Sequence, residues 1–220
     1  MTTDITRFEL DVVFRTDFLT FAERCFHELN PGTPFIYGQY LELLAAKLEA
    51  VREGRIRRLI INIPPRYLKS LLGSVALPAW WLGHSPSAQI ICASYGQELS
   101  EKLSRDCLKV MASAWYQSLF STRLSKSRQA ASEFATVQGG CRLATSVGGV
   151  LTGRGGEVLI VDDPLKPDEA LSATQRNAVN AWAINTLLSR LNDKNSGCIV
   201  VIMQRLHEDD LTGYFIRKGG

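Results

Sequence analysis

The sequence predicts an α/β protein with a mainly parallel central sheet covered by helices in three layers. Short apolar runs of strand length and strand composition recur at residues 59–63, 89–93, 158–161 and 198–203. Between them lie stretches whose apolar residues recur at helical spacing. The runs at 158–161 and 198–203 are continuously apolar, as in strands buried on both faces. Strands that alternate with helices in this way form parallel sheets.

Each element follows from its own residues. Phe18, Phe21, Ala22, Cys25 and Leu29 mark an amphipathic helix over 16–29, and Leu41, Leu44, Ala45 and Leu48 mark a second over 39–52. Strand 59–63 runs into Pro64-Pro65, which can continue neither a helix nor a central strand, so the chain leaves the sheet there. Lys69-Ser70-Leu71-Leu72 then leads into an apolar helical stretch ending near Pro78. After strand 89–93, Ser94-Tyr95-Gly96-Gln97 has the form of a capping box opening a helix to about Trp115. Arg142 to Thr145 suits a further strand. Ser172-Ala173-Thr174-Gln175 opens a helix that turns Ile184, Leu187, Leu188 and Leu191 to the core. Glu208, Asp209 and Asp210 fall in the first turn of a last helix, where negative charge complements the helix dipole, with Arg217 and Lys218 near its other end.

Composition bounds the class. At 220 residues and 45% hydrophobic composition the chain can bury one sizeable core, read as a helical N-terminal extension over 1–33 and an α/β domain over 34–220. A net charge of +3 permits nucleic-acid binding without arguing for it. Cys25, Cys92, Cys107, Cys141 and Cys198 are scattered without C-x-x-C pairing and read as reduced core residues, neither zinc ligands nor a disulfide frame. No apolar stretch is long enough to cross a bilayer, and the N-terminus is too polar for a signal peptide, so the expected location is the cytoplasm.

The chemistry concentrates at three strand ends. A helix that opens with a lysine and a hydroxyl is an anion site: its N–H groups and dipole hold phosphate oxygens, Lys69 reaches the β/γ-phosphates of a nucleotide, and Ser70 ligates Mg²⁺. This is P-loop geometry without the glycines of G-x-x-x-x-G-K-[ST], since Ile63 and Leu68 occupy their places. Strand 158–161 delivers Asp162 and Asp163 at its carboxyl end, where ligands gather in open α/β sheets. Asp162 would hold a Mg²⁺-bound water, and Asp163 would orient or deprotonate the water that attacks the γ-phosphate. The plain alternative is a strand ending in a DDP turn. Gln204 leaves strand 198–203 where it could sense the γ-phosphate. His207 beside the acids at 208–210 is better explained by helix capping than by metal binding.

The segments PPRYLKS, LIVDDP and VVIMQRLHEDDLTG, in this order, resemble the ATPase domain of the large terminase subunit of tailed bacteriophages and prophages. The resemblance implies a three-layer P-loop NTPase fold and Mg²⁺-dependent ATP hydrolysis that drives double-stranded DNA into a procapsid. It casts Pro65, Arg66, Tyr67, Leu68, Lys69, Ser70 and Leu71 as the phosphate loop, with Arg66 as the cis-acting arginine. Asp162 matches the strand-end aspartate, Asp163 stands where glutamate is frequent, and Gln204 takes the coupling position. Tyr37 and Gln39, within FIYGQ, match the adenine-binding segment, although an aromatic and a glutamine before a helix are also common in cores. Arg154, in a glycine-rich loop, would reach into a neighbouring subunit as an arginine finger, a role open also to Arg142 or Arg66. The implied partners are duplex DNA, a portal protein, a small terminase subunit and further copies of the chain in a ring. Lys102, Arg105 and Lys109 on one helix face, or Arg123, Lys126 and Arg128 after it, could track DNA phosphates, or could simply be solvated. No sequence remains after the coupling position for the nuclease domain of such subunits, so no DNA cleavage is expected. Another P-loop translocase or helicase-like ATPase, and an inactive prophage-remnant assembly module, are the alternatives.

Overall fold

The structure, a computed structural model, describes residues 6–218. A seven-stranded sheet with order β1-β7-β6-β2-β5-β4-β3 forms its centre. Strands β1 (Arg58–Asn62), β7 (Cys198–Met203), β6 (Val158–Asp162), β2 (Gln89–Ser94) and β5 (Cys141–Ser146) are mutually parallel, so their carboxyl ends share one edge. β4 (Glu133–Thr136) and β3 (Leu124–Gln129) extend the sheet antiparallel.

Alternate residues along the strands feed two cores, as the pleat requires. Ile61, Ile90, Cys92, Val158, Ile160, Val200 and Ile202 face a large core shared with helices α1 (Arg7–Thr16) to α6 (Ala114–Leu119). Ile91, Ala93, Leu159, Val161, Val201 and Met203 face a smaller one closed by α7 (Ala173–Trp182), its continuation to Leu191, and α8 (Leu211–Arg217). Helix α2 (Phe18–Leu29) sends Phe18, Phe21, Ala22 and Cys25, all fully buried, into the same core as the sheet. All five cysteines are free thiols. Among the described residues no helix is long and apolar enough to cross a membrane.

Several local expectations need correction. Helix α1 is an addition to the expected elements: it precedes α2 and opens with a capping box between Thr6 and Glu9. The expected box at Ser94 does not form, because Gly96 is the N-cap of α5 (Gln97–Ala112) and makes no side-chain cap bond. That helix stops at Ala112, where Ser113 turns extended and caps α6. β3 carries the polar run LSKSRQ, mostly exposed, and so lacks the apolar alternation by which a strand is recognised. Asp210 is the N-cap of α8, so the acids at 208–210 precede that helix and do not occupy its first turn.

One glycine fixes how closely the sheet approaches the helix that follows β1. A Cβ on Gly73 would lie 1.8 Å from Ile202 Cδ1 in β7. Gly73→Ala is therefore expected to destabilise the protein by about 1–3 kcal/mol in a urea melt. Adding Ile202→Val, which removes that methyl, is expected to recover most of the loss.

Candidate nucleotide-binding site

The site is built where β1 ends. The β1–β7 ladder is extended by the Ile63 N–H, which donates to the Met203 carbonyl, and Pro64-Pro65 then turn the chain out of the sheet. Leu68 closes the first helical bond, its carbonyl accepting from the Leu72 N–H, so the amides of Lys69, Ser70 and Leu71 face the loop with no partner in the helix. Arg66 and Leu68 adopt φ of +69° and +57°, the left-handed region that favours glycine. Leu68 stands at the second glycine position of the P-loop pattern. The backbone thus takes a conformation that favours glycine and carries side chains through it, at a cost of about 1 kcal/mol or more each. The Leu68 side chain packs against the main core, which offsets part of that strain.

Lys69, only 6% exposed, pairs through Nζ with Asp163 Oδ2 at 2.8 Å. Ser70 Oγ donates to Asp162 Oδ1 at 3.1 Å, and Ser74 Oγ donates to Asp162 Oδ2 at 2.7 Å. The Gln204 N–H donates to Asp163 Oδ1 at 3.2 Å, so all three strand ends meet at one place. Asp163 has φ of +44°, and its own N–H and carbonyl are fastened to Ile202 and Tyr95. The strands are not adjacent, however: β7 lies between β1 and β6. The helix that follows the loop reaches across β7 to bring Lys69 and Ser70 to the aspartates.

Two oxygens of different residues, Ser70 Oγ and Asp162 Oδ1, are hard donors that fit Mg²⁺, which takes one or two protein oxygens and completes its shell with water and phosphate. Among the described residues no cluster of three or more His, Cys, Asp or Glu could hold a metal by itself. His207 and its acidic neighbours serve capping and pairing: Asp210 accepts from the amides of Leu206, His207 and Gly213 and from Arg205, and Arg217 pairs with Asp209 at 2.8 Å.

Burial pushes the Asp162 carboxyl up to about 6 from 3.8 and Asp163 adds to the push; the Ser74 and Ser70 hydrogen bonds and Lys69 oppose it. A folded-state pKa above the unfolded value means that the native state holds the extra proton between about pH 4 and 6. The stability this confers is full below the unfolded pKa and is lost as pH rises through about 6. In EDTA without nucleotide, Asp162 is expected to make the protein about 1 kcal/mol more stable at pH 5 than at pH 7. Thermal melts of Asp162→Asn should lack that contribution; a variant with the wild-type pH dependence would contradict the assignment.

The other expected residues divide. Arg66 is exposed on the loop beside the site. Tyr37 is 53% exposed and its hydroxyl bonds Glu42, while Gln39 opens α3 (Gln39–Arg52). This segment touches the loop through Tyr40, whose ring meets Tyr67 edge-on at 5.2 Å, a contact the sequence reading missed. Arg154 is not brought to this chain's own site. It lies before β6, at the opposite end of the parallel strands from Asp162, and donates to Glu133 through Nη1 and Nη2 at 3.1 and 2.6 Å. Arg142 is fully buried, which removes it from any role in a neighbouring subunit. Ser74 was also missed, although its place four residues after Ser70 puts both hydroxyls on one helix face.

Among solved structures, the crystal structure of the HK97 bacteriophage large terminase matches the chain with a TM-score of 0.53 at 16% sequence identity, over 90% of this chain and 41% of that one. The chain shares the fold of a phage large terminase. It spans about two fifths of that terminase's length. No protein-family model and no curated protein matches the sequence. In this fold β1, which leads into the Lys69 loop, lies at one edge of the sheet, with β7 and then the aspartate-bearing β6 beside it.

The positively charged helix face, which could follow DNA or simply be solvated, is largely self-neutralised. Lys102 pairs with Asp106 at 2.7 Å and Arg105 with Glu101 at 3.7 Å. Arg123 donates to the carbonyls of Gln117, Phe120 and Thr122, and Arg128 pairs with Glu133. Lys109 and Lys126 remain exposed.

Proposed function

We propose that this chain is the ATP-hydrolysing part of a viral DNA-packaging motor. The observation that carries the proposal is the meeting of Lys69 and Ser70 with Asp162 and Asp163 at the carboxyl end of the sheet. The terminase-like fold supports the same reading. ATP and Mg²⁺ are the proposed ligands. Duplex DNA, a portal protein, a small terminase subunit and further copies of the chain are the proposed partners. Residues 34–220 are proposed as the motor domain and 1–33 as its helical extension.

In this reading the Lys69, Ser70 and Leu71 amides and the Lys69 ammonium take the β/γ-phosphate oxygens, and Arg66 lies close enough in the loop to join them. Ser70 and Asp162 hold Mg²⁺, which when bound supplies positive charge to the phosphate oxygens. As Lys69 turns to phosphate, Asp163 is released from its ion pair and can accept a proton from the attacking water. The Asp163 carboxylate also accepts from the Gln204 N–H, so a change at the site is transmitted to the segment between β7 and α8. Tyr37 and Gln39 would flank the adenine, next to the Tyr40–Tyr67 contact. Arg154 would act only between subunits.

The test is phosphate release from Mg²⁺–ATP by the 220-residue chain. Slow turnover that requires Mg²⁺ and increases with protein concentration is expected, because the finger arginine would come from a neighbour. Absence of turnover at every concentration, with and without duplex DNA, would contradict the proposal.

A further inference from the structure

The helix that begins at Lys69 does not run as a regular α-helix. Residues Leu71–Ala76 form a π-helical turn, with the Leu77 N–H bonded to the Leu72 carbonyl, before α4 (Leu77–His84) resumes ordinary geometry. Wide turns of this kind arise where the i→i−4 ladder is disturbed, frequently at functional sites. The disturbance here is Pro78. It has no N–H to give the Ser74 carbonyl four residues back.

That carbonyl is taken by Arg142. The Arg142 side chain reaches from β5 under the helix, and its Nη2 donates to Ser74 O at 3.0 Å. It is fully buried, and its Nε and Nη1 have no hydrogen-bond partner. A buried guanidinium with one hydrogen bond is a costly way to satisfy one carbonyl. The same Ser74, through its hydroxyl, donates to Asp162 Oδ2 at 2.7 Å. Ser74 therefore connects a buried cation on one side to the strand-end carboxylate on the other.

We infer that Arg142 is a positioning residue for the Mg²⁺ site: by holding the Ser74 carbonyl it fixes the wide turn so that the Ser74 hydroxyl orients Asp162. The inference rests on the proposed nucleotide site. It assigns Arg142 and Ser74 the part of outer-shell partners, which orient a ligand without touching the metal. Pro78 leaves the carbonyl free for this use.

The test compares the affinity of a non-hydrolysable ATP analogue with Mg²⁺ and in EDTA, by calorimetry on the full chain. The ratio of the two affinities reports the metal's contribution without any turnover. Ser74→Ala and Arg142→Met are each expected to lower the ratio about tenfold, with affinity in EDTA, set by Lys69 and the loop amides, little changed. The double variant should lose no more than the worse single one, because both act on the same carboxylate. Arg142→Lys, which keeps a buried donor without the guanidinium fork, is expected to fall between wild type and Arg142→Met. A wild-type ratio in Ser74→Ala or Arg142→Met, or losses that multiply in the double variant, would overturn the inference. Should Arg142→Met not fold, Arg142→Lys decides: a lowered ratio supports the inference and an unchanged one overturns it. Failure of the wild-type chain to bind the analogue at all would overturn the proposed function, and the inference with it.

Discussion

Lys69→Ala is expected to weaken ATP binding by at least about 100-fold, since a charge-assisted hydrogen bond contributes about 1.5–3 kcal/mol and Lys69 would make more than one. The substitution also acts on the ligand-free protein. Lys69 is almost fully buried against Asp163, and removing one partner of such a pair leaves the other charge stranded. Asp163 retains 22% side-chain exposure, so water takes up part of the loss and the expected destabilisation is about 1–3 kcal/mol. The two effects are separable. In Lys69→Ala/Asp163→Asn the stranded charge is gone, so urea melts should show recovered stability while equilibrium titration still shows no tight ATP binding. Recovery of both together would mean that Lys69 serves the fold alone.

Asp163→Asn is expected to split binding from chemistry. Asparagine keeps an oxygen that can accept from the Gln204 N–H, now at 3.2 Å, so local geometry should persist. It cannot take a proton, and loss of a positioned general base costs about 100- to 10,000-fold in turnover. ATP affinity should stay the same or rise, because Lys69 is no longer engaged by a carboxylate before the nucleotide arrives. The measurement is steady-state phosphate release beside a binding titration on the same preparation. Turnover within about threefold of wild type would remove Asp163 from the role of base.

These expectations rest on residues that differ in how well the sequence announces them. The strands at β1, β6 and β7 were legible because each is a short, continuous apolar run, and the carboxyl-end rule then assigned Asp162, Asp163 and Gln204 to one edge. Lys69 and Ser70 were legible from chemistry alone. The loop's conformation was not, since a pattern search looks for glycine where Leu68 takes the left-handed turn with a core contact to hold it. Strand order was also hidden. Nothing local in β1 or β6 says that β7 will pair between them, because that ordering is a property of the whole sheet. The polar hairpin strand β3 escaped notice for the reverse reason, having no buried face to leave a periodic trace.

Ser74 and Arg142 carried fainter signals. A second serine one helical turn after the first, and a proline inside the same helix, are both visible in the sequence, but their meaning appears only once β5 is seen to pass beneath. Arg154 is a different case. Its glycine-rich setting invites a role at a site, while in this chain it is held by Glu133 at the far end of the strands.

Hydrogen exchange with and without Mg²⁺–ATP tests the central claim most directly, by following residues 63–72 and 158–164 in the same experiment. If the lysine, the serine and the two aspartates share one nucleotide, both segments gain protection together, and neither does so in Lys69→Ala. Protection of one segment without the other, or of neither at saturating nucleotide, would contradict the account.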